Sequence, residues 1–111
     1  CGSHDMYILP SEDQAARFAS LAGTGIAGRT GRHVYTEWDP IFEHAGGPCE
    51  RMNPFRFQEN QDCRMDYSKD MCAKSLDILN RTAMVGLNPD LKRPDVTKLI
   101  RRLNRAAKEV L

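Results

Sequence analysis

The sequence predicts a two-layer α+β fold, in which a small, mainly antiparallel three-stranded sheet is packed with three helices. Three observations predict it. Two segments repeat apolar residues at helical period between recognisable start and stop signals, and a third, shorter one does so near the middle of the second half. Short apolar runs suited to strands lie at 7–10, 32–36 and 82–87. A chain of 111 residues, 41% hydrophobic and 28% charged, has the size and balance of one soluble domain with one core.

The ends and the charge set further limits. A net charge of +1 argues neither for nor against a polyanionic partner. No apolar run approaches the roughly 20 residues that a membrane span needs. No basic-then-apolar leader is visible, so a cytoplasmic protein is expected, with no membrane partner. The opening CGSHDM reads as an expression scar with Met6 as the native start, which sets residues 1–5 aside and leaves 6–111 as a single α+β domain.

Tyr7-Ile8-Leu9-Pro10 reads as a first strand, ended by a proline that cannot donate to a ladder. Ser11 opens S-E-D-Q, a capping box in which Gln14 can reach back to the Ser11 backbone. Ala15, Phe18, Ala19 and Ala22 then form one apolar helix face, and Gly23 is placed as its C-terminal stop. The following GTGIAG fits the dinucleotide fingerprint G-x-G-x-x-G letter for letter. That fingerprint needs a strand before the glycines and a helix after them, so that helix amides meet a pyrophosphate. Here the order is inverted, and the stretch reads as a reversal with no cofactor assigned to it.

Arg32 to Thr36 alternates, placing His33 and Tyr35 on one face of a second strand and Val34 and Thr36 on the other. Trp38, Ile41 and Phe42 with Pro40 suggest a packed turn or short helix. Between Glu43 and Tyr67 no period holds, and loops of that length are functional or disordered. The large apolar groups Trp38, Phe42, Phe55 and Phe57 either fold back on the sheet or await a partner surface. Cys49, Cys63 and Cys72 are odd in number and lack CxxC spacing. They read as free thiols, the alternative being a zinc site completed by His33 or His44 whose spacing matches no known ligand pair.

The next helix is expected from near Ser68 or Asp70, with Cys72, Leu76 and Leu79 on its apolar stripe and Lys74 and Asp77 facing outward. Thr82 to Leu87 follows as a strand with Met84 and Val85 on opposite faces, and Asn88-Pro89-Asp90 as a turn. Pro94 suits the first position of a last helix. Val96, Leu99, Ile100, Leu103, Ala106, Ala107 and Val110 keep helical period along it. Its other face carries Lys98, Arg101, Arg102, Arg105 and Lys108, either a solvated basic face that favours the helix dipole or a nucleic-acid surface. No aromatic stacking platform or DNA-binding motif accompanies it, which argues against nucleic acid.

Met71 to Asp90, MCAKSLDILNRTAMVGLNPD, resembles the C-terminal signature of the DegT/DnrJ family of PLP-dependent sugar and aminocyclitol aminotransferases. In that family a Cys-Pro pair, a leucine-rich helix, a Ser-Arg-Thr step, an apolar strand and an Asn-Pro-Asp turn follow one another. ILPSEDQAARF, RHVYTEWDPIF, NPF at Asn53 to Phe55 and DYSKDMC at Asp66 to Cys72 are similar to the family's small domain in the same order. Ala73 stands where the family usually has Pro, and Asn80 where Ser is common.

The resemblance implies the small domain of a fold-type I PLP transferase, detached from the large domain that carries the cofactor lysine. Transamination needs a lysine Schiff base and a group holding the pyridinium nitrogen. The lysines here lie on polar faces, in turns or in loops, so the chain alone is expected to be non-catalytic and to hold no cofactor. The resemblance also implies that Arg81 grips a substrate carboxylate while His33 and Tyr35 shape the same cleft. Equally, Arg81 suits a helix-end cation or a salt bridge to Asp77. Expected partners are a large aminotransferase domain or a second copy, reached through Trp38, Phe42, Phe55 and Phe57. The alternative function is an interaction module using that apolar loop or the basic last helix.

Overall fold

The computed structural model describes residues 3–111, Arg32 by its backbone alone. It is α+β, with strands β1 (His4–Ile8), β2 (Gly25–Ile26) and β3 (Thr82–Gly86) and helices α1 (Glu12–Ala22), α2 (Asp39–Phe42), α3 (Ala73–Asn80) and α4 (Arg93–Val110). Six single 3₁₀ turns fill the connections, five of them between Gly31 and Asn60. None of the helices is long and apolar enough to cross a membrane, among the described residues. The chain clusters into two compact units, Cys1–Thr30 with Lys74–Leu111, and Gly31–Ala73.

In the first unit the sheet order is β1-β3-β2, every pair antiparallel. Register puts Tyr7 and Ile26 beside Ala83 on one face, and Met6, Ile8 and Thr82 with Met84 on the other. The first face meets the core, where Phe18 of α1 and Ala106 and Val110 of α4 join Leu9, Ile26 and Ala83. On the second face Met6 and Ile8 are 55% and 62% exposed.

Local chemistry accounts for most of this unit. Ser11 caps α1, its hydroxyl accepting the Gln14 amide N–H at 3.2 Å. The Gln14 side chain does not reach back to the Ser11 backbone as a full capping box would. Its amide instead donates to the Val110 carbonyl at 2.7 Å, tying the end of α4 to the start of α1. Gly23 is the left-handed stop, at φ 62°, and all four residues of the expected apolar face are buried. On α4 the stripe is buried only at Ala106 and Val110. Val96 and Ile100, nearer its start, are 38% and 51% exposed.

Three expectations differ from the structure. β1 begins at His4, inside the stretch set aside as a scar, and Ser3 O accepts from Leu87 N at 2.7 Å, so His4 and Asp5 pair in the sheet and Ser3 bonds beside it. Arg32 to Thr36 is not a strand but parts of two 3₁₀ turns. Gly31, at φ 63°, turns the chain, and Val34 N donates back to Gly31 O at 2.9 Å. The second edge of β3 is taken by Gly25 and Ile26, whose pairing the sequence does not announce. Finally, α3 starts at Ala73, leaving Cys72 exposed and outside it. Ser68 spends its hydroxyl on Asp70 at 2.6 Å, and the Cys72 amide donates to the Tyr35 hydroxyl at 3.2 Å, local bonds that compete with helix.

The second unit has few buried groups, Val34 and Asn53 among its described residues. Rings and side-chain hydrogen bonds take the place of a broad core. His44 stacks on Phe55 at 4.9 Å and meets Tyr67 edge-on at 6.4 Å. Phe42 lies 6.4 Å from the Tyr35 ring, with Lys69 Nζ 5.6 Å from its own centroid.

Candidate functional site

Arg81 sits at the junction of α3 and β3, with a side chain 26% exposed. Its Nε and Nη2 both donate to Asp77 Oδ2, at 3.1 and 3.0 Å. Nη1 donates to Leu9 O at 2.9 Å, while Leu9 N donates to Arg81 O at 2.8 Å. Three of the five guanidinium donors are therefore occupied by the fold. The salt bridge to Asp77 offered by the helical spacing is present. An incoming carboxylate would have to displace Asp77 or use the outer hydrogens of Nη1 and Nη2.

This clamp makes a clear prediction. Arg81→Ala should cost about 1–3 kcal/mol in a urea melt, because the part-buried Leu9 carbonyl loses its donor. Asp77→Ala should cost at most about 1 kcal/mol, since the Asp77 carboxylate is largely exposed. Equal stability of Arg81→Ala and the parent chain would remove the structural role.

His33 and Tyr35 belong to the second unit, so no single unit holds all three residues that the resemblance groups together. His33 is exposed at the end of a 3₁₀ turn. Tyr35 is half-buried, its hydroxyl donating to Lys69 O at 2.8 Å and accepting from Cys72 N, so it latches the segment before α3. Of the four expected interface aromatics, Phe42 and Phe55 turn into the second unit's own ring contacts. Trp38 and Phe57 are 47% and 39% exposed.

The glycines of GTGIAG have three separate structural tasks, in the helix-then-strand order read from the sequence. Gly23 stops α1, Gly25 lies in β2, and Gly28 lets the chain pass close to Asn80. A Cβ on Gly28 would collide with the Asn80 side chain and lie 3.1 Å from the Asn80 amide nitrogen. Gly28→Ala should therefore destabilise by about 1–3 kcal/mol, read as a lower thermal midpoint. Adding Asn80→Ala should recover part of the loss by removing the side-chain share of the clash.

Lys69, Lys74, Lys92, Lys98 and Lys108 are all exposed. A Schiff-base lysine is lowered in pKa by an apolar setting or a neighbouring cation, and no exposed lysine here has the first. Cys49, Cys63 and Cys72 are exposed free thiols, and no group of three or more His, Cys, Asp or Glu able to hold a metal ion occurs among the described residues.

Leu21 of α1 and Arg101, Arg102, Arg105, Ala106 and Glu109 of α4 line an open hollow of about 750 Å³. None of the five cations on this face of α4 makes an ion pair among the described residues. The basic run itself is plain in the sequence, but its meeting with Leu21 depends on how α1 packs against α4.

Comparison of the chain with protein families, with curated proteins and with solved structures finds no match.

Proposed function

We propose that this chain is the small, substrate-orienting domain of a PLP-dependent sugar or aminocyclitol aminotransferase of the DegT/DnrJ type, not catalytic by itself. The observation that carries the reading is the arrangement of the sheet. Both long helices lie on one face, while the opposite face presents Met6 and Ile8 at 55% and 62% exposure. A face of that kind suits a domain covered by a larger neighbour. The exposure of every lysine agrees with a division of labour in which the cofactor is held elsewhere. Within that division, Arg81 receives a substrate carboxylate on its outer N–H groups.

The experiment is complementation. A large domain of this family, deprived of its own small domain, is mixed with the chain and given an amino-acid donor and a keto-sugar acceptor. Amino transfer in the mixture alone supports the proposal. Absence of both association and transfer with each member of a panel of such large domains contradicts it.

A second reading, an interaction module that acts through the last helix, is favoured by the arginine-lined hollow. Its signature is partner retention on the chain that weakens as salt rises.

A further inference from the structure

We infer that the arginine-lined hollow on α4 receives the acidic segment Glu37–Glu43 of a second copy of this chain. The inference stands independently of the aminotransferase reading, since it uses neither the sheet face nor Arg81.

The hollow is built for carboxylates beside an apolar group. Helix α4 carries six basic and two acidic residues, while the whole chain is only +1. Arg102 lies close to the C-terminal cap of α1, where a Cβ on Gly23 would be 3.6 Å from its Nη1. Arg101 and Arg105 lie one turn apart on the same face, and their planar forks match carboxylate geometry. Leu21, 51% exposed, supplies an apolar floor between the two helices.

The same features disfavour a nucleic acid. No aromatic ring lines the hollow for base stacking. A short peptide that alternates carboxylates with an apolar side chain fits the chemistry better.

The chain carries such a peptide. Residues 37–43 read Glu-Trp-Asp-Pro-Ile-Phe-Glu, with three carboxylates in seven residues. Glu37, Trp38, Asp39, Pro40 and Glu43 are all exposed. Glu37 and Glu43 make no ion pair among the described residues, and Asp39 meets Lys69 only at 3.5 Å with both groups in solvent. The charge balance of the units is complementary as well. Gly31–Ala73 holds eight acidic and five basic residues, and the other unit holds seven acidic and eleven basic. Pairing opposite units of two copies joins surfaces of opposite sign, which sets register and speeds encounter.

Sedimentation of the purified full chain at low and high salt (about 0.05 and about 0.5 M) tests this. The expected result is a dimer or larger species at low salt, with association at least about tenfold weaker at high salt. Arg101→Glu with Arg105→Glu should be monomeric at low salt with an unchanged circular dichroism spectrum. Glu37→Arg with Asp39→Arg should be monomeric too, and an equimolar mixture of the two variants should associate again. Glu109→Gln should tighten association of the parent chain. A monomer at both salts would overturn the inference, as would association that ignores salt or survives Arg101→Glu with Arg105→Glu. Failure of the folded charge-swapped pair to associate would overturn it also. A monomer that binds nucleic acid through the same arginines would assign this face to a polyanion instead.

Discussion

Phe18→Ala is expected to remove about 3–5 kcal/mol of stability from the first unit, the largest single loss anticipated for this chain. The reason lies in what surrounds the ring. Nine buried residues make the core cluster, and five of them are alanines, at 15, 19, 22, 83 and 106. Alanines bring α1 and α4 close to each other, but they cannot swing into a vacated space. Phe18 is 4% exposed and is the one aromatic in that cluster, its ring 6.1 Å from Tyr7 at the edge. Truncation therefore leaves a cavity that the neighbours cannot fill, which is where the cost per deleted methylene is highest. Phe18→Leu keeps most of the volume and should lose under half as much. A urea titration followed by circular dichroism reads both, and near-equal midpoints for the parent and Phe18→Ala would mean that the core is arranged differently.

The second large effect is expected at Asn53, which is 6% exposed in a unit with little else buried. Its Nδ2 donates to the His44 carbonyl at 2.9 Å, and its Oδ1 accepts from the Phe55 amide at 3.1 Å. His44 is held at φ 52°, a left-handed conformation costly for a residue with a Cβ, so its neighbours must over-determine it. The His44 ring meanwhile stacks on Phe55 and bonds Met65 O through Nε2 at 2.8 Å. Asn53 thus joins the two ends of the ring stack. Asn53→Ala would leave one carbonyl and one amide unpaired, a loss of about 2–4 kcal/mol at about 1–2 per group, the lower part of the range because both bonds are part-buried. Hydrogen exchange should show amides from about 44 to 67 losing protection. Asn53→Asp, which keeps the acceptor and drops the donor, should fall between the two.

How far the sequence exposes this architecture depends on how local each determinant is. Helix α1 was legible because Ser11, the Ala15–Ala22 stripe and Gly23 all speak for the same eleven residues. Strand β3 and helix α4 were legible for the same reason, through an apolar run and a Pro94 start. Strand β2 was not, since two residues, one of them glycine, have no period to read. The alternation at Arg32 to Thr36 misled because five alternating residues are too short a period to outweigh the turn set by Gly31 at φ 63°, and the segment lies in two 3₁₀ turns. Asn53 before Pro54 reads as a turn former, and the structure uses it as an Asx turn, but its burial depends on His44 and Phe55 and has no local signal. For Arg81 both roles were readable, and the Asp77 bridge is the one visible in the structure.

The most direct measurement of the central proposal is a borohydride trap. The purified chain is incubated with pyridoxal phosphate and an amino-acid donor, reduced, digested and examined by mass spectrometry. Separation of substrate handling from cofactor chemistry predicts scattered, substoichiometric labelling of the five surface lysines and no released keto acid. One lysine labelled to completion, with keto acid accumulating over repeated turnovers, would contradict it.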